Sequence, residues 1–165
     1  NLPYSSLINI LHAEAAASFE DLTLSNKDDT LAWQANEAWP NSFRKARFLS
    51  AVDHVQLDRL RYLVMKAMDE LFKDIDILIG PFDIGPMLVA SNFSGHPCLH
   101  LRVGFESLRT RTRIKSEKID LKKKFMVPRG LSIWGALFEE DKILNFGLAL
   151  EAKLNIADQR PTFAT

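Results

Sequence analysis

Ile75-Asp76-Ile77-Leu78-Ile79-Gly80-Pro81 is the stretch of sequence that decides the fold class. It is short, rich in branched apolar residues and closed by two residues that interrupt regular structure, which predicts a strand. Its centre is a continuous apolar run, typical of a strand that is buried on both faces. Two further strands are predicted at 98–103, after Gly95-His96-Pro97, and at 131–134. Strands combined with helices predict an α/β fold.

Helical periodicity accounts for much of the remaining chain. Apolar residues recur every three to four positions from Ser5 to Leu22, from Phe43 to Phe72 and from Glu139 to Leu154. The second segment contains no glycine or proline and is predicted to be the longest helix, with one break allowed near 49–51. The stretch 91–103 is predicted to form a tight turn at Gly95 and then a buried strand.

Composition limits the class of protein. The chain has 165 residues, 47% of them hydrophobic, with 21 basic and 21 acidic side chains, which predicts an ordinary globular domain. The zero net charge gives no global electrostatic reason to expect nucleic acid or a membrane surface as partner. No apolar run approaches the ~20 residues that cross a bilayer. The single cysteine, Cys98, excludes an internal disulfide and favours the reducing cytoplasm.

No residue pattern indicates an independent catalytic or metal site. The glycines form no Gly-x-Ser-x-Gly turn, which a nucleophilic serine usually requires. His96 and His100 are close in sequence, but Pro97 lies between them and no third ligand is near. We therefore interpret them as a turn histidine and a strand histidine, and we expect no metal and no cofactor.

The segment from Arg109 to Lys124 is strongly basic. It contains eight lysines and arginines and only two acids, Glu117 and Asp120. Its first part alternates in polarity, and the whole segment is interpreted as a solvated hairpin. Phe125 is the one aromatic residue nearby, so the interleaved aromatics that would stack on single-stranded nucleic acid are missing.

Three stretches in order resemble the C-terminal region of the amidase signature family, which includes free amidases and the A subunit of the tRNA-dependent amidotransferase. Arg44-Lys45-Ala46-Arg47 and Asp58-Arg59-Leu60-Arg61, followed by Asp76 to Pro81, are similar to a long helix that leads into the family's Asp-x-Leu-x-x-Pro strand. Ser91-Asn92-Phe93-Ser94-Gly95-His96-Pro97-Cys98 is similar to its Asn-x-Thr/Ala-Gly-x-Pro turn. The third runs from Val127-Pro128-Arg129-Gly130-Leu131 to Arg160-Pro161.

The resemblance implies amide hydrolysis by a Ser-Ser-Lys triad, which lies in the family's N-terminal half. Residues 1–165 would then be the C-terminal portion of an amidase domain, forming part of its mixed sheet with covering helices. The catalytic N-terminal portion is absent from this sequence, so no catalytic residue is assigned and this chain alone is expected to be inactive.

The resemblance also implies a substrate-pocket wall. Arg47 is similar in position to an arginine that faces the substrate carboxylate in the amidotransferase branch, and a guanidinium can grip a carboxylate with two hydrogen bonds. The alternative is a surface arginine on a helix. With the turn residues Asn92 and Gly95, Arg47 makes up the predicted substrate-binding set. Asp83 does not match the family's pocket acid in spacing and is not included.

Two hypotheses follow for function. In the first, the chain is an amidase segment whose partners are a small-molecule amide and either the missing N-terminal portion or a second copy. In the second, it is a self-standing binding or regulatory module descended from an amidase, with segment 109–124 as the contact surface. A Gly/Ser-rich segment upstream in the gene would favour the first hypothesis.

Overall fold

The protein, seen in a computed structural model, combines helices with one sheet, as the sequence predicts. The structure describes residues 2–82, 85–109 and 122–160. The helices are α1 (Ile8–Ser18), α2 (Glu20–Leu24), α3 (Trp39–Ala46), α4 (Ala51–Leu71), α5 (Pro86–Ser94) and α6 (Glu140–Leu154). The strands are β1 (Ile77–Pro81), β2 (Cys98–Arg109) and β3 (Lys124–Gly135), and single helical turns lie at Tyr4–Leu7 and Lys27–Thr30. None of the described helices is long and apolar enough to cross a membrane.

The chain divides into two compact units, although its length predicts one domain. The helical unit contains Asn1–Leu71 and Gly85–Gly95. The sheet unit contains Phe72–Ile84 and His96–Thr165. The chain therefore leaves the helical unit to form β1, returns to it as α5 and leaves it again to form β2.

The helical unit has a small apolar core. In it α1 packs against α3, and α4 packs against α5 and the turn at Tyr4–Leu7. Its buried apolar residues are Leu7, Ile10, Ala16, Ala38, Phe43, Val64, Met68 and Ala90. Val64 and Met68 are four residues apart and so share one face of α4, which is the face that the unit buries.

The predicted long helix is broken where the sequence allows it. The Oγ of Ser50 accepts a hydrogen bond from the backbone N–H of Asp53 at 3.0 Å and donates one to the Asp53 carboxylate at 2.6 Å. This arrangement satisfies a free amide at the start of a helix. Ser50 therefore caps the start of α4, which begins at Ala51, and α3 ends before it at Ala46.

Helix α5 is absent from the sequence-based prediction, which placed only a turn in this region. Pro86 lies in its first turn, and Gly95 ends it in the left-handed conformation, with φ 83°. These are typical residues for the start and the end of a helix. The turn at Gly95 is confirmed. Asn92, predicted within the turn, lies on the helix, where its side-chain amide donates to the Leu88 carbonyl at 2.7 Å.

The sheet has the strand order β1-β3-β2, and both pairings are antiparallel. Strand β2 begins at Cys98 as predicted, whereas β3 begins seven residues before the predicted 131–134, at Lys124. Leu108 pairs with Phe125, and Arg109 pairs with Lys124. The two ends of the basic segment therefore form the paired arms of a hairpin, and its residues 110–121 lie outside the described part of the chain.

Strand β1 differs from its prediction in position and in burial. It begins at Ile77 rather than Ile75, and its residues are half-buried or exposed, with Ile79 49% exposed. The reason is missing cover, because α6 packs against β2 and β3, whereas β3 is the one described element with which β1 makes extensive contact. The prediction that it is buried on both faces is wrong for this chain by itself.

Helix α6 covers the face of the sheet that carries Leu99 and Ile133. Ile133 is fully buried. A Cβ added at Gly135 would lie 2.7 Å from Cγ2 of Ile143, and one added at Gly147 would overlap the Leu99 side chain. The glycines therefore allow close contact of helix and sheet.

We predict that Gly95→Val destabilises the fold by about 1–3 kcal/mol, because valine is strained at positive φ. Gly104→Val is the matched control, since a Cβ at Gly104 would have no neighbour within 4 Å and its φ is not positive. Urea unfolding of both variants measures the difference. Equal midpoints would contradict the role assigned to Gly95.

Candidate functional site

Arg47 lies directly after α3 and is held by an exposed acid. Its Nη1 donates to Oε1 of Glu20 at 3.0 Å, and the two side chains are 43% and 52% exposed. An ion pair of this kind contributes little to stability, because water solvates both groups well. The Arg47 guanidinium can therefore exchange Glu20 for another carboxylate at small cost.

Arg44, three residues earlier, has a different role. Its Nη2 lies 2.5 Å from a carboxylate oxygen of Asp28 and 2.5 Å from one of Asp29. Asp28 is 1% exposed, so its charge would be costly without this partner. Arg44 thus joins α3 to the turn at Lys27–Thr30, and it is a structural arginine.

A cavity of about 560 Å³ lies in the helical unit, and residues on both sides of Arg47 in the chain contribute to its wall. Lys45, Phe48 and Leu49 line it, but Arg47 does not. Ala46, directly before Arg47 in the chain, also lines it. Arg47 therefore lies next to the cavity in sequence while its side chain contacts Glu20.

The cavity carries several polar groups from separate segments. His12, Glu37 and Asp53 line it together with Lys45, whose Nζ donates to the Asn36 carbonyl at 2.9 Å. The Asp53 carboxylate accepts a hydrogen bond from Ser50, whereas the side chains of His12 and Glu37 have no hydrogen bond or ion pair with any described residue. The size suits a small molecule, and these groups can bind polar atoms. Sequence reasoning missed them because no motif links the four positions.

Asn92 and Gly95 lie together at the end of α5. Asn92 is exposed, and its amide nitrogen is occupied by the Leu88 carbonyl. Helix α5 packs against α4 and the turn at Tyr4–Leu7, whereas α3, which precedes Arg47, packs against α1 and α2. The structure thus brings Asn92 and Gly95 together and places Arg47 on other elements. Their part in substrate binding stays a prediction, and Asp83 lies outside the described residues.

The two neighbouring histidines have unrelated surroundings. His96 follows the Gly95 turn, is buried and stacks on Phe72 with ring centroids 5.2 Å apart. His100 lies in β2, and its Nδ1 is 2.9 Å from Oγ of Ser132 on β3. Among the described residues, no group of three His, Cys, Asp or Glu side chains is arranged to hold a metal ion.

The Ser132–His100 contact has the geometry of a nucleophile and its base, but its surroundings argue against catalysis. Ser132 is fully buried, so a substrate cannot reach its hydroxyl. The nearby thiol of Cys98, 3.9 Å from Nε2 of His100, has a pKa raised by burial and is protonated at neutral pH. The pair is a partly buried hydrogen bond between strands, and it comes from the register that sets His100 opposite Ser132.

The sequence of this chain is similar to that of an amidotransferase subunit. No protein-family model matches the chain. It is 28% identical over 126 residues to the A subunit of the glutamyl-tRNA(Gln) amidotransferase of Halothermothrix orenii. The match covers 66% of this chain and 23% of that relative, so the chain spans less than a quarter of its length.

Two solved structures have the same fold. An amidase family protein from Bacillus anthracis matches 88% of this chain and 25% of its own, with a TM-score of 0.57 and 14% identity. A bacterial aryl acylamidase of the amidase signature enzymes matches 96% of this chain and 36% of its own, with a TM-score of 0.60 and 18% identity. At these identities the likeness concerns the fold alone.

We predict that Arg44→Ala lowers the free energy of unfolding by about 2 kcal/mol or more, because it leaves the Asp28 carboxylate buried without its cation. Arg47→Ala, the matched variant in the same segment, should change it by less than about 0.5 kcal/mol. Thermal or urea unfolding measures both. If Arg47→Ala lost more free energy of unfolding than Arg44→Ala, Arg47 would be the structural arginine and the two assignments would be reversed.

Proposed function

We propose that this chain, which resembles the amidase signature family in both sequence and fold, is the C-terminal portion of an enzyme that hydrolyses carboxylic amides. The observation that carries the proposal is agreement between two independent comparisons. Sequence matches an amidotransferase polypeptide over 66% of the chain, and backbone geometry matches an aryl acylamidase over 96% of it. We place this enzyme in the cytoplasm, because the one cysteine of this portion, Cys98, suits a reducing compartment.

In this proposal the chain supplies scaffold and one wall of the substrate pocket. Arg47 is the candidate for gripping a substrate carboxylate, and its exposed pairing with Glu20 supports that role. Breaking such a pair costs little, while a guanidinium and a carboxylate can form two parallel hydrogen bonds. Asn92 and Gly95 shape the end of α5. Arg44 is excluded, because it neutralises the buried Asp28.

In this proposal the catalytic residues lie outside this chain. The triad that the resemblance implies, two serines and a lysine, belongs to the family's N-terminal half. Of the serines in the described residues, Ser132 is hydrogen-bonded to a histidine but is fully buried. In this proposal the chain therefore helps to bind and position the substrate, and it supplies neither the nucleophile nor the base.

Exposed apolar side chains support a partner that covers this chain. Phe48 and Phe138 are each 90% exposed, and Val52 on α4 is 69% exposed. Phe138 also has a φ of 64°, which is costly for a bulky residue and yields no packing in return within this chain. Exposed aromatic side chains can each contribute to an interface when another polypeptide covers them. We propose that the catalytic N-terminal portion is this partner. In the isolated chain a second copy would take its place.

We predict that the purified 165-residue chain hydrolyses no aliphatic amide, aromatic amide or glutamine, because acyl transfer needs a nucleophile, a base and oxyanion donors together. Release of ammonia or amine is the measurement. Ser132→Ala is the decisive variant, and Ser25→Ala, at an exposed position outside both cavities, is its control. Turnover in the wild-type chain that Ser132→Ala abolishes and Ser25→Ala retains would show a working site within the chain.

We predict that the same chain self-associates, because exposed apolar side chains and the open edge of β1 favour contacts between molecules. Light scattering over a concentration series should show a mass that rises with concentration. Phe138→Asn and Phe48→Ser should reduce it, and Lys153→Ser, an exposed polar control, should not. A strictly monomeric chain would instead favour the self-standing binding module, as would a gene without an upstream Gly/Ser-rich segment.

A further inference from the structure

A second cavity, of about 220 Å³, lies in the sheet unit where β2 and β3 pair irregularly. The register between them shifts between Arg102 and Gly104. Strand irregularities of this kind often re-aim side chains beside a binding site. An engineered apolar cavity of about 150 Å³ in another protein holds a benzene molecule. This one can therefore hold one aromatic ring with a small substituent.

Most of the cavity wall is apolar. Phe82, Leu101, Pro128 and Gly130 contribute to it. The Phe82 ring meets the His100 ring edge-on, with centroids 4.9 Å apart, yet Phe82 remains 61% exposed. A Cβ at Gly130 would lie 3.0 Å from the Leu101 carbonyl oxygen and 3.3 Å from Cβ of Phe82, so the glycine keeps this space open. A planar ring can pack against Phe82 and cover surface that is now in water.

Arg102 gives one wall of the cavity a positive charge that no acid balances. Its Nη2 donates to the carbonyls of Ile156 at 2.7 Å and Ala157 at 2.9 Å, and its guanidinium lies 5.1 Å from the Phe105 ring centroid. All three partners are neutral. In the part of the chain that the structure describes, no carboxylate lies within ion-pair distance of Arg102.

The other two polar side chains of the cavity are already engaged. Arg129 donates through Nε to the Glu106 carboxylate at 2.5 Å in an exposed ion pair, so a ligand carboxylate would first have to displace Glu106 there. His100 uses Nδ1 for Ser132, and its Nε2 lies 3.9 Å from the Cys98 sulfur. The cavity thus combines a ring-sized apolar space with one unbalanced cation, and that combination favours an anion with a planar apolar body.

We propose that this cavity binds a small aromatic carboxylate, with the ring against Phe82 and the carboxylate on the Arg102 guanidinium. Hydrogen bonds between a guanidinium and a carboxylate are stronger than neutral ones, above all where water is partly excluded. The two carbonyls that hold Arg102 fix its position before binding, so little conformational freedom is lost. The proposal does not depend on the proposed amidase function, because the cavity belongs to the sheet unit of this chain alone.

The test is a titration of benzoate into the full 165-residue chain, followed by amide and side-chain NMR shifts. We expect saturable binding with a dissociation constant of about 1 mM, with shifts centred on residues 82, 100–102 and 128–130. Benzyl alcohol, which has the ring without the charge, and acetate, which has the charge without the ring, should each bind at least about tenfold more weakly. Benzylamine should not bind, and added salt should weaken benzoate.

Variants separate the two parts of the site. Arg102→Gln should weaken benzoate roughly tenfold and leave benzyl alcohol unchanged. Phe82→Ala should weaken benzoate and benzyl alcohol alike, and it is a safe variant because Phe82 is largely exposed. The control is Lys153→Gln, which removes one positive charge from an exposed position of α6 outside the cavity and should leave benzoate binding unchanged.

Three results would overturn the proposal. One is equal binding of benzoate and benzyl alcohol, which would remove the role of Arg102. Another is equal binding of benzoate and acetate, which would remove the role of the cavity. The last is the absence of saturable shifts at these residues. If Arg102→Gln fails to fold, the ligand series and Phe82→Ala still decide between these outcomes.

Discussion

The central position of β3 is the constraint on which the sheet unit depends. Because both of its neighbours run antiparallel to it and strand side chains alternate between faces, its register assigns every paired residue to a face. Ile133 faces α6 with Leu99, and Ser132 faces the other way beside His100. A slip by one residue would turn Ile133 and Leu99 away from α6 and turn Ser132 and His100 towards it. The close approach of α6 at Gly135 opposes such a slip, since only a glycine fits there.

Elements with a signal within a few residues were predictable. Gly95 ends a helix because glycine adopts positive φ, and Ser50 begins one because its hydroxyl accepts the Asp53 amide. Strand β2 begins directly after Pro97, as the sequence predicts. Helix α5 was missed because its nine residues are too few to show a clear period, although Pro86 and Gly95 mark both of its ends. In short segments, residues that mark the start and the end of a helix are therefore more informative than periodicity.

The candidate sites were less predictable, because they depend on contacts between distant positions. The sequence indicated Arg47 through a family resemblance. It could not show that Arg47 forms an ion pair with Glu20 or that Arg44 forms one with the buried Asp28. His100 and Ser132 are 32 residues apart and meet only through strand register. The burial of β1 was overestimated for a related reason. An apolar run shows that a strand is suited to burial, but not which molecule provides the cover.

Charge balance around individual arginines says more about function here than the zero net charge of the chain does. Arg44 is committed to a buried acid, Arg47 to an exposed one, and Arg102 to two neutral carbonyls. A carboxylate that approaches Arg47 competes with Glu20, so its affinity there is reduced by the exchange. At Arg102 a carboxylate has no described acid to displace, and the two carbonyls already hold the guanidinium in place. The two arginines should therefore select ligands on different grounds, Arg47 by two-point geometry and Arg102 by charge within an apolar cavity.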